Sequence, residues 1–554
     1  MKTLKARNEY LFFSFIIIVL FITYSRLIIS DSLLDYDDKL LINPLLKIKN
    51  IRDYFNFVLT GKILDLQPIR DLSYLFDIQI KKKFSNYSYH FTNLLIWFLS
   101  LIESYRILKF FNRNYLIRFL LISLLAFNPL TAVSVSWIAA RKHLLAYFFI
   151  LIATRYFLQY FKKLRLKHII FICLNYLLSC LSQPLLVFWP LSVVFYYYIK
   201  KIKINFKLLL PLFFIAIVII SLNLYYYSHN YLLASMGVSK FVSTLENPIG
   251  YLLLEIGRYL YQLLNPFSVL PTPHYTGSFQ NLLGIIILAI LIFSIYRIIL
   301  SKKLTLLYPI FIFFLALAPV TIQTTNVFAM DSYLLLPLFS FFILLAILIK
   351  KINKNVLFFS ILLLLFFILF TFNFNQIYLS DKKLWTFSHS HEATPQSTRI
   401  MAMNYLEEGN IAEAYKLASR LKEWNHDDPY LTLIFSQIYF KNVKLSTKNK
   451  ISLINALEPQ TASSSFYKMF LYDQMGEKDN VFNEIRKTFQ NQSTLKLEFG
   501  SNEIRIFAFS YLFCLKHKGE KCKEDLNIFL NKKIKQEEWS KKEFDTEYNK
   551  LISL

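Results

Sequence analysis

Three carboxylates fall within the five residues Asp35–Tyr36–Asp37–Asp38–Lys39, just after the first apolar run of the chain. Acids held at the outer surface of a membrane suit a base that takes the proton of an acceptor hydroxyl beside a lipid-borne donor. Asp37 and Asp38 equally suit the cap of a helix beginning at Lys39 or Asn43, and the local sequence leaves both readings open. The same loop continues through Gln67–Pro68–Ile69–Arg70–Asp71 to Asp77, then His90 and Asn93. Three residues apart, His90 and Asn93 share one helical face. Arg70 has the planar fork that matches phosphate oxygens, or it pairs blandly with Asp71 or Asp77. Arg141, Lys142 and His143 form a compact cationic group that suits a phosphate or a phosphate leaving group, with contact to bulk anionic lipid as the alternative. Arg258, His274 and Tyr275 are weaker candidates for the same work, and Asp331 and Tyr333 join them at the start of a later apolar segment. No clustered metal-ligand motif accompanies these groups, so no metal site is assigned.

The elements that must position these residues are membrane helices. Of 554 residues 55% are hydrophobic and only 18% charged, with 55 Phe and 36 Tyr, and charge-free apolar runs recur through the first 375 positions. The net charge of +26 falls in short clusters between apolar runs, which is the topological use of Lys and Arg and not a nucleic-acid face. The first run, from about Tyr10 to Ile29, follows Lys2, Lys5 and Arg7 and has no small-residue cleavage site after it, so it reads as an uncleaved span.

Candidate spans lie near 10–29, 91–108, 117–136, 143–160, 168–199, 207–226, 281–299, 304–320, 333–349 and 356–374. The stretch 168–199 is long for one span, and Pro184 supplies a local reason for a break. Divided near Ser182–Gln183–Pro184, it leaves cytoplasmic loops carrying 3, 4, 4, 4, 3 and 3 Lys or Arg. The short outer loops then carry only Arg141 and Lys142. Eleven spans follow, with the N-terminus inside and the C-terminus outside. The loops 30–90 and 227–280 both fall outside, the second patterned for surface-lying or re-entrant helices. The sequence therefore predicts an all-α polytopic membrane protein, with residues 1–380 forming the membrane domain and 381–554 an extracytoplasmic helical domain.

In that second domain Ser397–Arg420 reads as two short helices around Glu408–Gly409–Asn410, and Gly476 follows Gly409 by 67 residues. That gap is close to two units of about 34 residues, which suggests a degenerate tetratricopeptide-like solenoid; an ordinary helical domain is the alternative. Cys514 and Cys522 can pair if this domain is extracytoplasmic, and Cys173 and Cys180 read as packing residues.

The order of these motifs resembles the transmembrane and tetratricopeptide-repeat O-mannosyltransferases and their bacterial relatives, within the C-type glycosyltransferases. The likeness runs from Asp37–Asp38 and Asn43–Pro44, through Gln67–Pro68–Ile69–Arg70, Tyr89–His90–Phe91–Thr92–Asn93 and Ala140–Arg141–Lys142–His143–Leu144–Leu145. It continues over Ser182–Gln183–Pro184, Arg258–Tyr275, Asp331–Ser332–Tyr333 and Trp385. The resemblance implies that Asp37 or Asp38 is the catalytic base of an inverting glycosyltransferase in the bacterial inner membrane. Its donor would be a polyprenyl-phosphate sugar and its acceptor a protein or glycan hydroxyl. No resident cofactor is expected, the lipid-linked sugar being substrate, and no motif specifies a divalent metal. Membrane lipid and a protein docked on the repeats are further expected partners; nucleic acid is not. Gln183 and Ser332 depart from the family, which usually carries Lys and Arg there. A non-enzymatic scaffold whose repeats recruit a partner, and a transporter of lipid-linked glycan, are the competing functions.

Overall fold

The computed structural model describes residues 2–30, 33–34, 37–48, 50–59, 66–85, 87–161, 163–229, 248–271, 278–323, 331–391 and 393–424, with parts of 434–527. Every regular element among them is helical. The chain divides into two compact units, Met1–Glu392 and Ala393–Leu554.

The first unit begins with α1 (Lys2–Thr23) and the short α2 (Ser25–Ile29), followed by three loop helices: α3 (Asp38–Leu45), α4 (Ile51–Leu59) and α5 (Pro68–Lys83). Next come α6 (Tyr89–Phe111), α7 (Tyr115–Ala126), α8 (Pro129–Ser136), α9 (Arg141–Tyr160), α10 (Leu166–Ser182), α11 (Trp189–Ile199) and α12 (Phe206–His229). The unit continues with α13 (Pro248–Leu264), α14 (Ser278–Leu300), α15 (Leu307–Gln323), α16 (Leu335–Leu348), α17 (Lys354–Phe374) and α18 (Asp381–His391).

Several faces of this unit belong in lipid. On α12, Leu210, Phe214 and Ile217 are 68%, 68% and 63% exposed along one helical stripe, and α14 and α17 present similar stripes. Water does not tolerate apolar surface on that scale, whereas hydrocarbon is indifferent to it. Among the described residues, four helices are long and apolar enough to cross a bilayer, or five if one bent pair counts as a span; Asn8–Thr23, Leu166–Ser182, Pro184–Ile199 and Leu304–Pro319 are apolar but shorter. The chain is a helical membrane protein.

The bent pair is the segment 117–136, expected as one continuous span. It breaks into α7 and α8 with a bend of 56°. Asn128 caps α8 by accepting from the Leu130 amide, and Pro129 occupies its first turn. Carbonyls freed at the break find side-chain donors: Trp97 Nε1 donates to Ala126 O (3.3 Å) and Thr371 Oγ1 to Phe127 O (3.0 Å). Such donors are what permit a break at membrane depth. The other expected break falls where the sequence put it. α10 stops at Ser182, Gln183 is extended, and Pro184 opens a 3₁₀ turn. Across this break Val187 O accepts from Tyr176 Oη (2.5 Å) and Trp189 packs on the Tyr176 ring.

One contact between helices admits no side chain. A Cβ on Gly257 of α13 would lie 2.8 Å from the Gly284 carbonyl carbon on α14, so the two backbones touch.

The second unit opens with α19 (Pro395–Glu407) and α20 (Ile411–Trp424), and later contains α21 (Lys478–Gln490). Gly409 turns the first pair in the left-handed region (φ 78°), with the Asn410 amide donating to Tyr405 O (2.8 Å). Met401, Ala402, Leu406, Ala414, Ala418 and Leu421 bury the seam of this hairpin. The same turn recurs before α21: Gly476 has φ 76° and the Glu477 amide donates to Tyr472 O (2.9 Å). Cys514 is disulfide-bonded, and Cys173 and Cys180 are free thiols. Cys522 lies outside the described residues.

Candidate functional site

The loop helices α3–α5 have their own small core, in which Ile42, Leu45, Tyr54, Tyr74, Ile78 and Tyr89 pack with Ile138. That core fixes the start of α3, and with it the acid pair. Asp38 is 1% exposed. Its Oδ1 accepts from the Ala139 amide (2.8 Å) and its Oδ2 from the Leu34 amide (3.2 Å). Burial pushes this carboxyl up to about 8, against the lowering effect of those two amides. Asp37 is different. It occupies the N-cap position without a side-chain capping bond, is half-buried, and holds φ 66°. A left-handed backbone at a non-glycine residue is uncommon and concentrates at functional sites.

The turn clasped by Asp38 joins α8 to α9, and two further side chains hold it. Tyr74 Oη donates to Ile138 O (2.8 Å), and Asn93 Nδ2 donates to Val135 O (3.3 Å) and Trp137 O (3.2 Å). Arg141 then enters the interior and is 0% exposed. Its Nε donates to Asn93 Oδ1 (2.7 Å), Nη1 meets Asp77 Oδ2 (2.5 Å) and Ser73 Oγ (3.3 Å), and Nη2 donates to Tyr89 O (2.9 Å). The guanidinium also lies over the Tyr74 ring at 4.5 Å. Asp77 accepts from Thr92 Oγ1 (2.7 Å) as well; burial raises its carboxyl while Arg141 pulls it back down. Arg141 therefore knits α5, α6 and α9 together, and its charge is met inside the protein.

Arg70 is equally internal. Nε and Nη2 both reach Asp71 Oδ1 (2.8 and 2.7 Å), and Nη1 donates to Gln67 Oε1 (2.9 Å). Asp71 also accepts from Tyr54 Oη (3.2 Å), and Gln67 Nε2 donates to Gln183 Oε1. Of the two acids the sequence offered Arg70, Asp71 takes it and Asp77 goes to Arg141. His90 is 4% exposed, on the same face of α6 as Asn93. Lys142 is half-buried in the first turn of α9. His274 and Tyr275 lie outside the described residues.

Two cavities adjoin residues 331–332. The smaller, about 30 Å³, is lined by His143, Gln183, Ser332 and Tyr333 among apolar neighbours. Gln183 and Ser332, distant in sequence, thus line one cavity. The larger is a cleft of about 130 Å³ lined by Arg258, Tyr261, Gln262, Phe267 and His391. Asp331 supports its wall, accepting from Gln262 Nε2 (2.5 Å) and the Leu270 amide (2.7 Å). Sequence reasoning singled out Arg258 and Asp331 but missed Gln262, although Gln262 stands four residues beyond Arg258 on one face of the amphipathic α13.

No family model matches the chain, and no curated protein or solved structure matches it.

Proposed function

We propose that the chain is a membrane glycosyltransferase that moves a sugar from a polyprenyl-phosphate donor to a protein or glycan hydroxyl on the extracytoplasmic side. The observation that carries this reading is the pairing at Asp37–Asp38. One acid is buried and clamped by backbone amides, and its neighbour is left half-exposed on a left-handed backbone. A scaffold gains nothing from holding a carboxylate this way, whereas a general base needs fixed geometry and access. Asp37 is the base and Asp38 its positioning residue. The acceptor hydroxyl gives its proton to the Asp37 carboxylate as its oxygen bonds the anomeric carbon. The bond from that carbon to the phosphate oxygen breaks, polyprenyl phosphate leaves, and the anomeric centre inverts. Lys142, half-buried in the first turn of α9, is the cation assigned to the phosphate.

The eleven-span topology with the N-terminus inside belongs to the same proposal, as does placement in a bacterial inner membrane. The helix break after Ser182 is compatible with it, and the bonded state of Cys514 supports an extracytoplasmic second unit, because disulfides persist in extracytoplasmic compartments. The repeated glycine turns 67 residues apart support a tetratricopeptide-like second unit that docks a protein partner or acceptor.

The test is a transfer assay in membranes with a panel of polyprenyl-phosphate sugars, comparing the wild type with Asp37→Ala and Asp37→Asn. Transfer by the wild type and its loss in both variants is the expected result. Full activity in both variants excludes Asp37 as the base, and absence of transfer from every donor removes the enzyme reading.

A further inference from the structure

We infer that the cleft walled by Arg258, Tyr261, Gln262, Phe267 and His391 is a binding site for the pyranose ring of a sugar. The inference rests on the glycosyltransferase reading for its biological sense, but its physical argument is separate. The cleft, at about 130 Å³, is well above the roughly 10–15 Å³ that a single water needs on the same measure. It is larger than the cavity beside His143 and Ser332, of about 30 Å³.

Its wall carries acceptors and donors together. Gln262 is 1% exposed, and its Nε2 donates to Asp331 Oδ1 (2.5 Å). That bond fixes the amide orientation, because a carboxylate oxygen accepts and cannot face Oε1. The Oε1 atom is left buried with no hydrogen-bond partner. An unmet amide oxygen is costly in a protein interior, and a small turn of the Gln262 side chain toward the cleft lets a ligand O–H satisfy it. Tyr261 Oη accepts from Asn265 Nδ2 (2.7 Å), so its own proton is available to a different acceptor. His391 is exposed, stacked on Phe387, and its Nδ1 lies 2.9 Å from Phe387 O. Its other ring nitrogen is thereby the one offered to a ligand. Phe267 adds an apolar ring of the kind that packs on the C–H face of a pyranose.

Charge narrows the ligand class. Asp331, buried behind the wall, lies within electrostatic reach of Arg258 and bonds directly to Gln262, so its charge offsets that of the cation lining the cleft. A neutral ring with several hydroxyls meets donors and acceptors in turn. A free phosphate, which only accepts in its dianionic form, would find that cation already offset by a neighbouring acid.

The experiment is saturation-transfer NMR on the purified full-length protein in detergent. The probes are methyl β-glucoside, methyl α-mannoside and methyl N-acetyl-β-glucosaminide, with inorganic phosphate as a separate arm. At least one glycoside is expected to bind the wild type. Gln262→Leu should weaken it by about two- to tenfold, the loss of one neutral hydrogen bond. Tyr261→Phe, which keeps the ring and guards against misfolding of the first variant, should weaken it by a similar factor. Displacement by a polyprenyl-phosphate monosaccharide would mark the ring as the donor's, and displacement by a neutral oligosaccharide as the acceptor's. Absence of binding by all three glycosides, or wild-type affinity in both variants, overturns the inference. Glycoside binding without transfer from any donor would instead remove the enzyme reading and leave the cleft assignment standing.

Discussion

Asp77 and Arg141 meet at 2.5 Å with neither side chain reaching solvent. A buried pair of this kind is weak evidence of stability, but breaking it strands a charge. Arg141→Ala should therefore destabilise the membrane unit by about 3–5 kcal/mol, read as thermal unfolding in detergent. Replacing both partners together, as Asp77→Leu with Arg141→Met, should recover part of that loss. A cost below about 1 kcal/mol for Arg141→Ala would return Arg141 to the solvent-exposed class of ion pairs and reopen its candidacy as a phosphate ligand.

Asp38 makes stability depend on pH with a definite sign. Its folded carboxyl titrates near 8, against 3.8 for the free group. Between those values the folded chain keeps a proton that the unfolded chain has lost, so stability falls as pH rises from about 4 to about 8. Asp38→Asn removes that titration and should flatten the unfolding midpoint across pH 5–8. An unchanged slope would show that Asp38 is ionised in the fold throughout this range.

The touching backbones of α13 and α14 should tolerate no side chain. Gly257→Leu is expected to push the helices apart, destabilise by at least the roughly 1–3 kcal/mol of an overpacked core, and distort the Arg258 cleft one residue away. Gly257→Ala, the mildest probe, should already lower the thermal midpoint, because its Cβ would lie 2.8 Å from a main-chain atom. Unchanged melting for Gly257→Leu would refute the close approach.

The topology is open to cysteine labelling in intact cells, in a chain with Cys173 and Cys180 replaced by Ser. An impermeant maleimide should label Glu408→Cys in the second unit, and should reach Lys163→Cys and Lys201→Cys only after the cells are opened. Labelling of Lys201→Cys from outside would mean that 168–199 crosses once, and that everything beyond it lies on the opposite face.

Much of this architecture is legible one segment at a time. Asn114, Asn128 and Asn353 each cap the helix that follows, Pro184 follows a true helix break, and His90 and Asn93 lie on one face as their spacing requires. The Gly409 turn and its two helices follow from local chemistry alone. What sequence could not supply is pairing across space. Arg70 had two acids within reach in the sequence, and only the packing of α5 against α6 and α9 gives Asp71 to one arginine and Asp77 to the other. The outward cation expected at Arg141 came from counting charges on a loop, a rule that is blind to a side chain folding inward. The bend between α7 and α8 was hidden for a related reason. Hydropathy runs unbroken across it, and the donors that make it tolerable come from Trp97 and Thr371, on helices distant in the chain.

The bond from the Ala139 amide to Asp38 spans 101 positions, and this sets an order of events during biosynthesis. A chain made from its N-terminus exposes the acid pair long before the turn that clasps it exists. Until α8 and the turn after it are synthesised and seated, Asp38 has no Ala139 amide to bind and the α8–α9 turn is missing from the loop core. The site is thus assembled by later helices arriving at an earlier loop, and a fragment ending before residue 139 would carry both acids in sequence without the clasp that holds them.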